Sequence, residues 1–381
     1  MMRGLAVILV AFLLFSGCTT EQKNDTEKND NLDFETNEVV LTYLPIDLEN
    51  LSYIAPYGSI IGIHVDPIDH QYWNPPNSLS WEEAQNSPEM YEIKAPADGY
   101  VTRVSRFEDG AYRFVLEFSD DVYSIFMVIY NLTSKLLSDG PLDPGDSYTA
   151  NVEVSAGETI AYIKNHPFDF SLHDERVNLS EFPYPEDYES YGWKVHTVDP
   201  FEYYEEPLRT QLREKSLRKV EPVAGKIDYD IAGKLVGTWF IEGSSAYRMT
   251  GEPSDDHKML LSIVYDYIDP NHIIISFGDY EGEPRPFGVK GNSPDPKDIG
   301  ISSGMTKYEL VEYVHWHGED IPMLVVGPDP TKSIEVRNND EVHGTVLFEL
   351  LEERKLKMEI FPSMTAAEVS NFTDDAFIYF R

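Results

Sequence analysis

The residues best suited to chemistry cluster between positions 64 and 70. Two imidazoles and two carboxylates stand close together there, as His64, Asp66, Asp69 and His70. Imidazole nitrogens and carboxylate oxygens together suit Zn²⁺ or another divalent cation. The cluster therefore predicts either a metal site or, in the simpler alternative, an Asp69–His70 hydrogen bond inside a folded domain.

Short strands separated by turns must position this cluster. The clearest turn runs from Ala95 to Gly99, where Pro96 fixes φ and Gly99 is expected to take a positive φ. A second turn of the same kind lies at Gly157. Polar and apolar residues alternate after the first turn, which is typical of half-buried strands. Many such strands joined by Gly, Pro and Asp turns predict a mainly all-β fold, as a sandwich or barrel.

The order of these segments resembles that of the lysostaphin-type zinc endopeptidases, which cut peptidoglycan peptides. The resemblance covers residues 53–174 and ends in the predicted strand Phe168–Asp174. It implies a barrel-sandwich hybrid fold that brings the first cluster and this strand together. In that family a His, an Asp and a final His bind the zinc, and two further histidines assist the attacking water. The resemblance would also bring together the segments that carry a different set of candidate metal ligands, which are His64, Asp69, His70, Asp169 and His173.

The chain departs from the family pattern at several chemical positions. His64 and Asp69 are one residue too far apart, and no histidine stands near Asn131 in place of the Tyr-x-His segment. The final His-x-His is replaced by residues 167–169, which contain no histidine. A catalytic zinc needs three protein ligands and an open coordination position. We therefore expect a catalytically degenerate relative that binds a cell-surface glycan, a peptide or a small apolar molecule.

The rival hypotheses are a divergent metal-dependent hydrolase and a purely structural envelope protein. In the simpler alternative to a metal site, His173 is solvated.

The second half of the chain predicts an antiparallel β-barrel, because strands recur there with almost no helix and closure removes exposed sheet edges. Gly237-Thr238-Trp239 resembles the opening of lipocalin-type barrels, in which a Trp closes the floor and an Arg near the last strand packs over it. Arg381 is the candidate for that Arg. The barrel mouth could bind a small apolar ligand, or side chains could fill the interior.

His315 and His317 form a second His-x-His, either a metal-ligand pair or two polar residues on the outer face of a barrel strand.

The predicted organisation has five parts: a signal peptide at 1–17, a polar tether at 18–38, the peptidase-like domain at 39–200, a connecting helix at 201–221 and the barrel at 222–381. The helix is expected over Phe201–Leu217, with a kink or restart at Pro207.

The ends of the chain and its charge predict location and partners. A basic start, an apolar run and small residues before Cys18 resemble a prokaryotic lipoprotein signal, with a plain signal peptide or an uncleaved anchor as alternatives. We therefore expect a lipid anchor at Cys18 and an extracytoplasmic protein attached to the cell membrane. The formal net charge of −37 excludes nucleic acid as a partner of the folded part. Candidate glycosylation sequons begin at Asn24, Asn50, Asn131, Asn178 and Asn371.

Overall fold

A computed structural model gives the structure of the chain. It describes residues 38–62, 64–137, 140–186, 188, 192–242, 256–317, 320–321 and 330–381. The predicted signal peptide, Cys18, Asn24 and all but the last residue of the tether lie outside the described residues.

The described chain is mainly β-structure, which confirms the predicted fold class. The strands of the first half are β1 (Tyr53–Ala55), β2 (Gln71–Asn74), β3 (Met90–Lys94), β4 (Gly99–Arg106), β5 (Tyr112–Glu117), β6 (Val122–Ile129), β7 (Asn131–Leu132), β8 (Ser147–Val154), β9 (Thr159–Lys164) and β10 (Phe168–Asp174). The strands of the second half are β11 (Gly237–Ile241), β12 (Leu260–Tyr265), β13 (Ile273–Tyr280), β14 (Glu283–Val289), β15 (Thr306–Trp316), β16 (Asp320–Ile321), β17 (Glu335–Glu352), β18 (Lys355–Pro362) and β19 (Phe377–Phe380). The α-helices are α1 (Trp81–Ala84), α2 (Gly192–Val195) and α3 (Leu208–Lys215). None of these described helices is long and apolar enough to cross a membrane.

Two antiparallel sheets build the first half. A seven-stranded sheet has the order β1-β2-β10-β6-β5-β4-β8, and a three-stranded sheet has the order β3-β9-β7. Apolar side chains from both sheets share one buried core, with Phe114 and Phe126 from the large sheet and Ile93 and Ile163 from the small one. Burial of this shared apolar surface holds the sheets together, because the one cysteine of the chain can form no intrachain disulfide.

The two predicted turns meet each other. The backbone N–H of Ala156 donates to the Asp98 carboxylate at 2.7 Å, and the N–H of Gly157 donates to the Ala95 carbonyl at 2.9 Å. Gly157 has a φ of +79°, as predicted for the second turn. The same prediction for Gly99 is wrong: this residue begins β4, and glycine is required there because a Cβ would run into the backbone of Glu117.

Eight strands of the second half close into an antiparallel barrel. β11 to β15 pair in chain order, β15 then pairs with β17, β17 with β18, β18 with β19, and β19 with β11. Buried apolar side chains form one continuous cluster within this barrel, including Trp239, Phe277, Phe287 and Phe348. An eight-stranded barrel has an interior that side chains can fill or that can hold one small ligand. The buried cluster favours the first of these two expectations.

The connecting segment differs from the prediction. The predicted helix over Phe201–Leu217 is instead a 3₁₀ turn at Pro200–Tyr203 followed by α3, and Pro207 caps the start of α3. The restart at Pro207 is as expected, since a proline inside a helix removes a hydrogen bond and clashes with the preceding turn. Beyond α3 the chain attaches to the first sheet: Leu217 N–H donates to Ile54 O at 3.0 Å, and Tyr57 N–H donates to Ala224 O at 2.9 Å.

Candidate functional site

The site is built on the alternation of β10. Phe168, Phe170 and Leu172 point into the shared core, whereas the intervening residues Asp169, Ser171 and His173 belong to the opposite face of the strand. All seven residues of β10 are buried. A strand with a polar face is buried on both sides only if other polar groups cover that face. The covering groups come from residues 64–70 and from α2.

His70 lies between two carboxylates. Its Nδ1 is 3.3 Å from Oδ1 of Asp69, and its Nε2 is 3.5 Å from Oδ2 of Asp169. The imidazole is only 5% exposed. The ring of His64 packs against it edge-on, with centroids 5.8 Å apart. The structure thus places four of the five candidate ligands in one small volume.

His173 occupies a different environment from the other candidates. Its Nε2 lies 2.8 Å from Ser171 Oγ, and its Nδ1 lies 2.9 Å from the carbonyl oxygen of Trp193. The ring stacks on Tyr123 at 5.0 Å and is fully buried. The expectation of a solvated His173 is therefore wrong. Burial lowers the pKa of His173 to about 4, so the ring is neutral at pH 7.

Helix α2 covers this polar face with two side chains. Trp193 donates its indole N–H to Oδ2 of Asp69 at 2.8 Å. Lys194 is 5% exposed and donates to the carboxylate of Asp66 and, at 2.7 Å, to the carbonyl oxygen of Pro67. These contacts join the site to a helix far along the chain. Neither residue is predictable from the sequence, since no motif spacing connects α2 to the cluster at 64–70.

The charge distribution follows from burial and from these contacts. Burial lowers the pKa of His64 to about 4 and raises the pKa of Asp169 to about 6. Burial opposes the charged form of His70, but the neighbouring Asp169 and Asp69 raise its pKa above the ordinary value. Burial likewise opposes ionised Asp69, yet the hydrogen bond with His70 and the charge of Lys194 hold its pKa below the ordinary value. The two neighbouring carboxylates thus favour the protonated form of His70, and Lys194 places an ammonium group against Asp66.

The observed contacts do not fit a zinc centre. A zinc ligand must offer a free lone pair, but both nitrogens of His70 face carboxylates and both nitrogens of His173 have polar partners. Throughout the described ranges, no group of three or more His, Cys, Asp and Glu is arranged to hold a metal ion. One carboxylate oxygen is still notable: Oδ1 of Asp169 is buried and has no hydrogen-bond partner among the described residues.

A surface pocket of about 490 Å³ lies elsewhere on the first half of the chain. Its lining includes Arg176, Arg209, Glu202, Tyr203 and Tyr204. Arg209 lies 3.4 Å from Glu202, and its Nε donates to Tyr204 O at 3.0 Å. The pocket therefore combines charged and aromatic groups that hydrogen bonds hold in place.

The second His-x-His is not on an open face. His315 is 3% exposed, and its Nε2 lies 2.9 Å from Oδ2 of Asp266. Its ring contacts Tyr267, which packs in a buried cluster with Tyr53 and Ala55 of β1. His315 therefore lies on the outer face of its barrel strand, as the second alternative expects, but it is buried there because the first half of the chain covers this part of the barrel.

Most of the described sequons lie at the surface. Asn131, Asn178 and Asn371 are exposed, and Asn50 is half-buried. This arrangement leaves the first three accessible to modification, and their use remains a prediction.

Comparisons with known proteins give only weak structural similarity. No protein-family model matches the chain, and no curated protein matches it. A solved structure of the SpoIIQ–SpoIIIAH pore-forming complex is similar with a TM-score of 0.28 and 9% identity, over 45% of this chain and 96% of that one. The solution structure of lysostaphin is similar with a TM-score of 0.23 and 11% identity, over 66% of this chain and 92% of that one.

Proposed function

We propose that this chain is a lipid-anchored, extracytoplasmic protein whose peptidase-like domain binds a cell-surface glycan or peptide without cleaving it. The observation that carries the proposal is the state of His70, which is enclosed by Asp69 and Asp169 and covered by α2. A hydrolytic site must leave room for substrate and for an attacking water. The enclosed His70 offers neither.

The pocket lined by Tyr203 and Arg209 is the binding surface that we propose. Aromatic rings and charged groups at an open pocket suit sugars and peptides, which present both apolar faces and polar edges. We do not place a small apolar ligand inside the barrel, because the barrel cluster of buried side chains is continuous.

Purified peptidoglycan tests the proposal directly. The protein should co-sediment with it, and no free amino groups should be released, with or without added zinc. Arg209→Ala should weaken co-sedimentation, whereas Arg285→Ala should not. The two arginines are matched, since each is paired with a glutamate and their side chains are 36% and 38% exposed. Equal binding by both variants would remove the pocket from the proposal.

The alternative function is a divergent metal-dependent hydrolase that uses His64, Asp69, His70 and Asp169. The unpartnered Oδ1 of Asp169 favours it, because a buried carboxylate oxygen without a partner is an available metal ligand. Elemental analysis separates the two functions. One zinc per chain, together with peptide release that His70→Ala abolishes, would establish the hydrolase and refute the binding role.

A further inference from the structure

We propose that the pocket lined by Tyr203 and Arg209 recognises a free ammonium group, so that its ligand is a peptide with a lysine or another diamino-acid side chain. The inference rests on the proposed binding function and names the ligand class of the same pocket. A neutral glycan is thereby excluded as the group that the pocket recognises.

The residues that line the pocket carry more negative than positive charge. Glu38, Glu202 and Glu205 contribute three carboxylates, whereas Arg176 and Arg209 contribute two guanidinium groups. The whole chain has a formal net charge of −37. A cleft with an excess of one sign of charge raises the local concentration of ligands of the opposite sign. The pocket therefore attracts a cationic ligand.

The two guanidinium groups are already engaged within the protein. Arg176 donates to both carboxylate oxygens of Asp174, at 2.8 and 2.7 Å. Arg209 donates to the carbonyl oxygens of Tyr204 and Glu202, at 3.0 and 3.2 Å. It also lies 3.4 Å from the Glu202 carboxylate. The arginines thus hold the pocket wall in shape, and an anionic ligand would have to displace these contacts.

The groups that remain for a ligand are acceptors and an aromatic ring. Glu205 is exposed, and its carboxylate has no hydrogen-bond or ion-pair partner among the described residues. The hydroxyl of Tyr204 is buried and likewise has no hydrogen-bond partner in that part of the chain. Tyr203 donates its hydroxyl hydrogen to Asp174 at 2.6 Å, so its ring is what it still offers. An ammonium group suits this set, because it has three N–H donors and is attracted to aromatic faces.

Two capped tripeptides test the ammonium group by itself. One has a central lysine, and in the other the same lysine is acetylated on its side chain, so the two peptides differ by one charge. Calorimetry measures the affinity of each peptide for the full-length protein at low and at high salt. At low salt we expect the lysine peptide to bind at least ~threefold more tightly than the acetylated one, and we expect this preference to shrink as salt screens the charges. Equal affinities, or no binding of the lysine peptide, overturn the inference.

Charge reversal at Glu205 tests whether the lysine peptide binds in the pocket. Glu153→Lys is the matched control for Glu205→Lys, because both glutamates are exposed and neither side chain has a partner among the described residues. Glu153 belongs to β8, outside the pocket lining, and the two substitutions change the net charge equally. We expect Glu205→Lys to weaken binding of the lysine peptide at least ~fivefold and Glu153→Lys to weaken it less than ~twofold. Equal weakening by both variants would assign the attraction to the overall charge and overturn the inference.

Acetylated peptidoglycan separates this inference from the proposed function. The wild-type protein should co-sediment with untreated peptidoglycan and much less with peptidoglycan whose amino groups have been acetylated. Equal co-sedimentation with both overturns the inference and leaves the binding function in place. Failure to co-sediment with either refutes the binding function, and the tripeptide affinities then decide the inference alone.

Discussion

Arg381 lies over the indole of Trp239, with its Cζ 4.1 Å from the ring centroid. The guanidinium pairs with the buried Asp230 at 3.2 Å and donates to the carbonyl oxygens of Val236 and Lys234, each at 2.6 Å. Val236 directly precedes the first residue of β11, and β19 ends at the residue before Arg381. The Arg–Trp contact therefore fastens the first and last strands of the barrel at one end.

Arg381→Met should destabilise the barrel strongly. Arg381 and Asp230 are each 2–3% exposed, and removing one partner of a buried ion pair typically costs about 3–5 kcal/mol. Urea unfolding followed by tryptophan fluorescence measures the loss. Arg337→Met is the matched control, because Arg337 also stacks on an indole, Trp316 at 3.3 Å, but is exposed. A similar loss of unfolding free energy in both variants would show that the buried Arg381–Asp230 pair stabilises the barrel no more than the exposed Arg337 does.

Gly237→Ala should destabilise the same end of the barrel. Gly237 has a φ of +125°, which L-residues rarely adopt, and a Cβ there would run into the side chains of Arg381 and Asp230. We expect a cost of at least ~1–3 kcal/mol in the free energy of unfolding from the backbone alone. Gly282→Ala is the control, since Gly282 also has a positive φ, of +100°, but a Cβ there meets open space. If Gly282→Ala costs as much, the clash with Arg381 is unimportant.

The Arg–Trp contact was predicted through the resemblance to lipocalin-type barrels, which pairs the Trp of the Gly-x-Trp on the first strand with an Arg near the last strand. The sequence also predicted the contact between His70 and Asp169, since the segments that carry them have a recognisable order. It did not predict Lys194, which is 128 residues from its partner Asp66. No periodicity or spacing rule connects such distant positions, so only the folded chain reveals them.

One local misjudgement has an equally specific cause. The predicted helix over Phe201–Leu217 rested on acidic residues at its start and basic residues at its end. That charge pattern suits a helix dipole, but it does not outweigh the backbone restriction of Pro207.

Cys18→Ser should release the protein from the membrane. Cys18 is the only cysteine of the sequence, so a lipid attached through sulfur has no alternative site. We expect the wild type to sediment with the membrane fraction and to incorporate labelled fatty acid, and the variant to do neither. High-salt washing controls for electrostatic attachment, since charge pairing weakens as salt rises. A Cys18→Ser protein that stays in the washed membranes would contradict the lipid anchor.

The contact between His315 and Asp266 predicts a pH dependence of stability. Burial opposes the charge on His315, but Asp266 raises the pKa of the imidazole above its ordinary value. The stabilisation from this pair is therefore complete below pH ~6.5 and is lost as the pH rises through the higher folded-state pKa. We expect the free energy of unfolding of the wild type to fall relative to that of His315→Gln between pH 6 and pH 9. His343→Gln is the control, because His343 is part-exposed and lies 3.8 Å from Glu312. Since His315 lies where β1 covers the barrel, a pH-independent difference would mean that its ring acts there through packing and not through its charge.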